Sequence, residues 1–303
     1  VNALQRFPGK DTFEVIKLAE ETGAKLLSPP TINNRLRNMS ALFKWAVRED
    51  YMVKNYAEGL GVNDPVKARD KRRPFTEEEL QIIFSAPLYS GCQSEFKYHL
   101  PGSQIIKKGR YWVPLLSLWT GMRLGECCQL HCDDIKQIDG VWCIIIQETK
   151  DGEGLDEADK KRVKTSSGER FVPIHSALER LGFINFALQQ KQAKHVRLFP
   201  ELKPSADGYL SNNFSKWFND KSRFLGKLGL AGNGASFHSF RHNYRDAMRQ
   251  AELNHDVVLA LGGWSSGDTS DQYGGNLSPA FLKEQIEKIA YDGLKMPSCR
   301  EGN

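Results

Sequence analysis

Apolar positions recur at helical spacing over residues 31 to 49, where Ile32, Leu36, Met39, Phe43, Ala46 and Val47 line one side and Arg35, Arg37, Lys44 and Arg48 lie elsewhere. The pattern predicts an amphipathic helix. Phe13, Val15, Ile16 and Leu18 predict another before it, so residues 1 to about 65 read as a small helical domain. A second domain starts at Thr76-Glu77-Glu78-Glu79-Leu80, an N-cap with acidic residues in the first turn, where they complement the helix dipole. A Gly-, Ser- and Lys-rich stretch from about Leu88 to Gly109 delays the next helix, an apolar one from Tyr111 to Leu118. The period then changes. Val141-Trp142-Cys143-Ile144-Ile145-Ile146 and Arg170-Phe171-Val172-Pro173-Ile174 are β-rich runs flanking a polar, Gly-containing segment, and they predict a small antiparallel sheet. Thereafter the chain reads as helical. Ser278-Pro279 marks a last helix start, with Leu282, Ile286 and Ile289 on one face. The fold expected is mainly α with a small antiparallel β-sheet (α+β).

At 303 residues the chain is long enough for two domains with cores of their own. A hydrophobic fraction of 40% with 26% charged residues is ordinary for a globular protein, and no apolar run approaches the roughly 20 residues of a membrane helix, so no membrane partner is expected. The balance of 42 Lys+Arg against 37 Asp+Glu gives a net charge of +5, too mild to identify a nucleic-acid enzyme by itself. Where the charge clusters matters more. Residues 66–74 form a proline-bounded linker holding Lys67, Arg69, Lys71, Arg72 and Arg73 against Asp70 alone. As a charge run this is solvated surface in an arbitrary protein; between two DNA-binding lobes it would follow the phosphate backbone.

The six cysteines lack the density of a disulfide scaffold, and no signal-peptide pattern opens the chain, so a reducing cytoplasm is expected. Cys127, Cys128, His131 and Cys132 are close in sequence but lack a second paired half and read as one continuous helix. Buried thiols are the favoured account, and no metal or other cofactor is expected. The chain begins with Val1 rather than methionine, as a fragment does.

The motifs carry the functional reading. His238-Ser239-Phe240-Arg241 opens a helix-like segment, Trp264 follows in a Leu-Gly-Gly-Trp turn, and Tyr273 stands nine residues beyond it. Upstream, Thr120-Gly121-Met122-Arg123-Leu124-Gly125-Glu126 supplies a second arginine, and Val163-Lys164-Thr165 before a Ser-Ser-Gly turn supplies a lysine. In this order and at these separations the residues resemble the tyrosine recombinases, the phage-integrase family of site-specific DNA strand-exchange enzymes. The resemblance covers most of the chain loosely, and 111–291 with specific motifs. It departs at Leu-Gly-Gly-Trp, where the family commonly reads Leu-Gly-His.

Chemistry agrees with the resemblance. Cleaving a phosphodiester without metal requires fixed cations on the two non-bridging oxygens, and the permanently charged, forked guanidiniums of Arg123 and Arg241 suit that task. Tyr273, with an ordinary phenol pKa of about 10, needs guanidiniums and His238 to activate it. Lys164 would protonate the leaving 5′ oxygen; it is preferred to Lys160, Lys161 and Arg162 because Lys-Thr-Ser-Ser-Gly before Phe-Val-Pro-Ile resembles the family's lysine hairpin. Trp264 would donate its indole N–H to a phosphate oxygen or pack beneath the tyrosine segment. Glu126 would orient neighbours of Arg123 or lie at the surface.

The resemblance further implies a helical core DNA-binding domain at 1–65 with Arg35 and Arg37 among its contacts, the basic linker, and a catalytic domain at 75–303. It also implies integration or excision of a phage or mobile element in a bacterial cytoplasm, acting on double-stranded attachment sites as a homotetramer, with DNA-bending accessory proteins. The apolar face of the tail helix is expected to dock on the neighbouring subunit; fold-back onto its own domain is the alternative. The competing functions are a chromosome-dimer resolvase, a type IB topoisomerase-like enzyme and a catalytically dead DNA-binding regulator.

Overall fold

The computed structural model describes residues 8–23, 27–66, 73–149, 159–162, 169–264 and 277–297. Lys67, Arg69, Lys71, Arg72, Lys164 and Tyr273 lie outside them. The chain divides into two compact units, 1–70 and 71–303.

Unit 1 contains α1 (Thr12–Glu21) and α2 (Pro29–Arg48). Asp11 caps α1 through a capping box with Glu14, and Pro29 starts α2 in the first-turn position where its missing N–H costs nothing. The predicted stripe on α2 is only partly realised: Ala46 is buried and Phe43 and Val47 half-buried, whereas Met39 is 46% exposed, along with Leu42 and Trp45. Asn33 holds the following segment by donating to Val62 O and accepting from Val62 N, both at 2.8 Å. Arg35 and Arg37 are exposed on α2.

Unit 2 opens with α3 (Glu77–Ser85), capped at Thr76 as the sequence predicted, and Glu79 reciprocates the cap. There follow α4 (Pro87–Ser90), α5 (Gly109–Thr120), α6 (Leu124–Cys128) and a 3-10 turn at Cys132–Asp134. The sheet comprises β1 (Ile135–Ile138), β2 (Val141–Ile146) and β3 (Arg170–Pro173), antiparallel in the order β1-β2-β3, with Ile144 opposite Ile135 on one side and Val172 on the other. β1 was not anticipated. Its signal was Asp139-Gly140, a two-residue turn with positive φ at both positions that matches the twist of a hairpin. Beyond the sheet lie α7 (Ser176–Arg180), α8 (Phe183–Gln192), α9 (Leu210–Asn219), α10 (Phe224–Lys227), α11 (Ser239–Gln250), α12 (His255–Gly262) and α13 (Pro279–Ile286).

α5 is the central element. Every residue from Tyr111 to Thr120 is buried, and α11 packs along it. Asn243 of α11 fastens the start of the unit, accepting from Phe75 N and donating to Phe75 O, while the Ser239 hydroxyl donates to Arg73 O. One expectation about this region is corrected. Cys127, Cys128, His131 and Cys132 do not share a helix: α6 stops at Cys128, and His131 pairs by backbone with Arg197. Burial pushes all three thiols up, Cys132 to about 11, so they stay protonated at neutral pH.

The tail also differs from expectation. Leu282, Ile286 and Ile289 are buried in their own unit, where α13 packs on β2, β3 and α12. Lys283 Nζ donates to Ile174 O at 2.5 Å and pairs with Glu179 and Glu287; Tyr291 OH donates to Leu118 O at 2.6 Å. Fold-back therefore replaces docking on a neighbour for this stripe, because the sheet and α5 already supply apolar and hydrogen-bonding surface to complement it. Ile286→Ala should then cost about 2–5 kcal/mol, measured by urea unfolding, and deleting residues 278–303 should prevent folding. A truncated protein that melts with the parent would contradict this packing.

Candidate active site

α6 and α11 are brought side by side through α5, and this places Arg123 and Arg241 in one locality. Arg123 is the N-cap of α6, extended at φ −68° and ψ 152°, with its side chain half-buried. The Glu126 carboxylate accepts its backbone N–H at 2.9 Å and its Nη1 at 2.7 Å. Glu126 is buried at 5% exposure. Burial raises its pKa, but the Arg170 charge and the hydrogen bonds from Arg123 and Arg170 outweigh that and leave it below the usual carboxylate range. It is ionised at neutral pH.

Arg241 is buried on α11, just after His238 caps that helix. Its Nη1 donates to Gly121 O, and its Nη2 donates to Gly262 O at 2.6 Å. The guanidinium lies over the Trp264 ring, 4.4 Å from the centroid. Burial, then the charges of Arg123 and Arg170, lower its pKa to about 9, which still leaves it protonated at neutral pH. Two of its five N–H groups serve the carbonyls.

The Leu-Gly-Gly-Trp departure has a steric explanation. α12 ends at Gly262, and Gly263 turns the chain at φ +58° so that Trp264 folds back; a Cβ on Gly262 would stand 1.8 Å from the indole. Trp264 thus packs against Arg241, with Arg245 also over its ring at 5.2 Å. His238 is half-buried, its ring edge-on to His242 with centroids 5.1 Å apart.

Sequence reasoning missed Arg170. The first residue of β3, it was read only as part of a strand, yet its side chain is 6% exposed and its Nη2 reaches Glu126 Oε2 at 3.1 Å. Two guanidiniums therefore pair with one carboxylate while the third, Arg241, lies within reach of their charges, and among the described residues the surplus is positive. The available signal was an arginine opening an otherwise apolar strand, a position where an unpaired charge would be costly.

Lys161, a competitor for the lysine role, is removed from contention. It is buried, its Nζ 2.6 Å from Asp134 Oδ1, so its charge is spent inside the fold. The described flank of the Lys164 segment is held at Gln129, which donates to Arg162 O and accepts from Arg162 N. Arg73 is likewise engaged, its two Nη atoms 2.6 and 2.7 Å from the Glu79 carboxylate. That pairing departs from the expectation that Arg73 contacts phosphate, since an acid in the first turn of α3 has already claimed the fork.

Comparison with known proteins follows the same lines. The chain is 26% identical over 298 residues to the ICEBs1 integrase of Bacillus subtilis (strain 168), covering 94% of this chain and 71% of that one. Two structures of the Tn1549 transposon integrase in complex with circular intermediate DNA share the fold. One is 18% identical with a TM-score of 0.53, covering 91% of this chain and 83% of that chain. The other is 19% identical with a TM-score of 0.51, covering 91% and 84%. The phage integrase family model matches residues 110–277, more than half of the chain and the span that holds Arg123, Glu126, Arg170, Arg241 and Trp264. The protein therefore belongs to the phage integrase family, the tyrosine-type enzymes of site-specific DNA recombination.

Proposed function

We propose that the chain integrates and excises a phage or mobile element by cutting and rejoining double-stranded attachment sites through a 3′-phosphotyrosyl intermediate at Tyr273. The observation that carries the reading is the cluster of half-buried Arg123 with Arg170 and buried Arg241 about Glu126, the one carboxylate paired with these arginines among the described residues. A scissile phosphate gains negative charge on its non-bridging oxygens as it becomes pentavalent, and cations already fixed in place stabilise that charge without reorganising. Arg123 and Arg241 take those oxygens. His238 handles the proton of the attacking phenol, Lys164 protonates the leaving 5′ oxygen, and Trp264 donates to a phosphate oxygen beside Arg241. The phosphotyrosyl bond keeps the energy of the broken linkage, so rejoining needs no ATP.

Two other tyrosines of the unit, Tyr244 beside Arg170 and Arg241 and Tyr291 beyond it, support Tyr273 by their unsuitability. Tyr244 is wholly buried, and Tyr291 gives its hydroxyl proton to Leu118 O; burial holds both phenols above their ordinary pKa. Around this core chemistry the reading places Arg35, Arg37, Lys67, Arg69, Lys71 and Arg72 on DNA phosphates. It also includes a homotetramer on DNA, with accessory bending proteins, in a bacterial cytoplasm. Since the α13 stripe is covered, subunits would meet through other surfaces.

Tyr273→Phe should bind a duplex carrying the joined ends of the encoding element nearly as the parent does, yet form no covalent adduct on a denaturing gel. Adduct from the mutant would place the nucleophile elsewhere. Because the arginines supply the positive charge, cleavage should also persist in EDTA; loss on chelation with recovery in Mg²⁺ would overturn the mechanism.

The linker is tested by salt. Neutralising Lys67, Arg69, Lys71 and Arg72 together should weaken binding to all sequences, and the log–log salt slope should fall by roughly 0.9 for each phosphate that the protein no longer neutralises. A slope equal to the parent's would reduce the run to solvated surface. Arg73→Gln, by contrast, should show itself in stability, since Glu79 holds that guanidinium.

A further inference from the structure

We propose that Arg170 is a positioning residue for strand cleavage, a single buried guanidinium that sets the geometry of both Arg123 and Arg241; this rests on the roles given those residues above. Arg170 is given no contact with DNA, because its guanidinium is committed to a carboxylate and to a helix-end carbonyl. It works through three elements. From the first position of β3, its Nη2 meets Glu126 Oε2 at 3.1 Å and its Nε donates to Leu261 O, also at 3.1 Å. Its Nη1 lies so close under Gly263 that a Cβ there would stand 2.7 Å away.

The consequence for Arg123 runs through Glu126. That carboxylate holds Arg123 by Nη1 and by its backbone N–H, so its orientation decides where the Arg123 fork points. Glu126 is buried, and Arg170 is the second cation that makes its charge tolerable there. For Arg241 the consequence runs through α12. The last carbonyls of a helix lack intrahelical donors. Here Leu261 O receives Arg170 and Gly262 O receives Arg241, so adjacent carbonyls align the two guanidiniums. The same helix end leads into Trp264 and onward to Tyr273.

A lysine cannot replace this group. Serving a carboxylate and a carbonyl on different sides requires a planar fork, whereas an ammonium is a point charge that reaches one of them. Arg170→Lys keeps the buried charge, and Arg170→Gln keeps a planar donor without it, so the two variants separate charge from geometry.

The test uses the full chain and the joined-ends duplex, measuring melting temperature, duplex affinity and single-turnover adduct formation at saturating protein, below the melting point of every variant. For Arg170→Lys, affinity should stay within about threefold of the parent while adduct formation falls at least about tenfold, a loss in the chemical step rather than in binding. Glu126→Gln should be slow in the same way. Since both act along one path, the double variant should be no slower than the slower single one within about twofold. Arg170→Lys or Arg170→Gln cleaving at the parent rate would overturn the proposal, as would effects of Arg170→Lys and Glu126→Gln that multiply, or a loss confined to affinity. Tyr273→Phe run in parallel keeps the underlying reading separate: adduct from that variant reassigns the nucleophile, whereas normal cleavage by Arg170→Lys alone removes only the positioning role.

Discussion

Holding several like charges out of water in one place is the constraint around which the catalytic unit is organised. Arg123, Arg170 and Arg241 lie near enough that the first two depress the pKa of the third, and among the described residues one carboxylate, Glu126, is buried beside them. One anion cannot neutralise three cations. The remaining cost is met by backbone carbonyls: Gly121 and Gly262 receive Arg241, and Leu261 receives Arg170. Those carbonyls are available because they belong to the turn after α5 and the end of α12, where regular hydrogen bonding stops. Helix termini are thus placed where the charges need acceptors, and the uncompensated positive charge is what an anionic transition state would use.

The rest of unit 2 keeps these termini in register. α5 is buried along its length, α11 packs on it, and Asn243 and Ser239 fasten the beginning of the unit to α11. The sheet contributes Arg170 from the edge strand β3, and the Lys161–Asp134 pair anchors the described residues that precede Lys164 in the chain. α13 closes the arrangement from the other end. Its apolar face fills against β2 and β3 while Lys283 and Tyr291 supply donors to carbonyls of the β3–α7 connection and of α5.

What the sequence disclosed depended on how local each signal was. Helix starts at Thr76 and Ser278 are written in a few neighbouring residues, and both hold. Arg123 and Arg241 were legible as candidates because their spacing matches a family pattern. Arg170 was not, since its role arises from β3 meeting α6 and α12, elements more than 40 residues away in either direction. The apolar stripe of α13 was visible, but a stripe says only that something covers it, and the cover proved to be the chain's own sheet. On α2 the reverse happened, for Met39 fits the helical period and remains exposed.

The fold-back of α13 has a bearing on how the nucleophile is delivered. Leu277 packs against the core of unit 2 at one end of the segment containing Tyr273, and Trp264 packs against Arg241 at the other, so both moorings belong to the same subunit. Three residues separate Tyr273 from Leu277, and the four residue steps between them span at most about 14 Å when fully extended. Under the proposed chemistry, a chain link this short makes the meeting of Tyr273 with the arginines an intramolecular event. For the proposed nucleophile, both described ends of its segment lie in the subunit that holds the arginines, a connectivity that suits cleavage in cis.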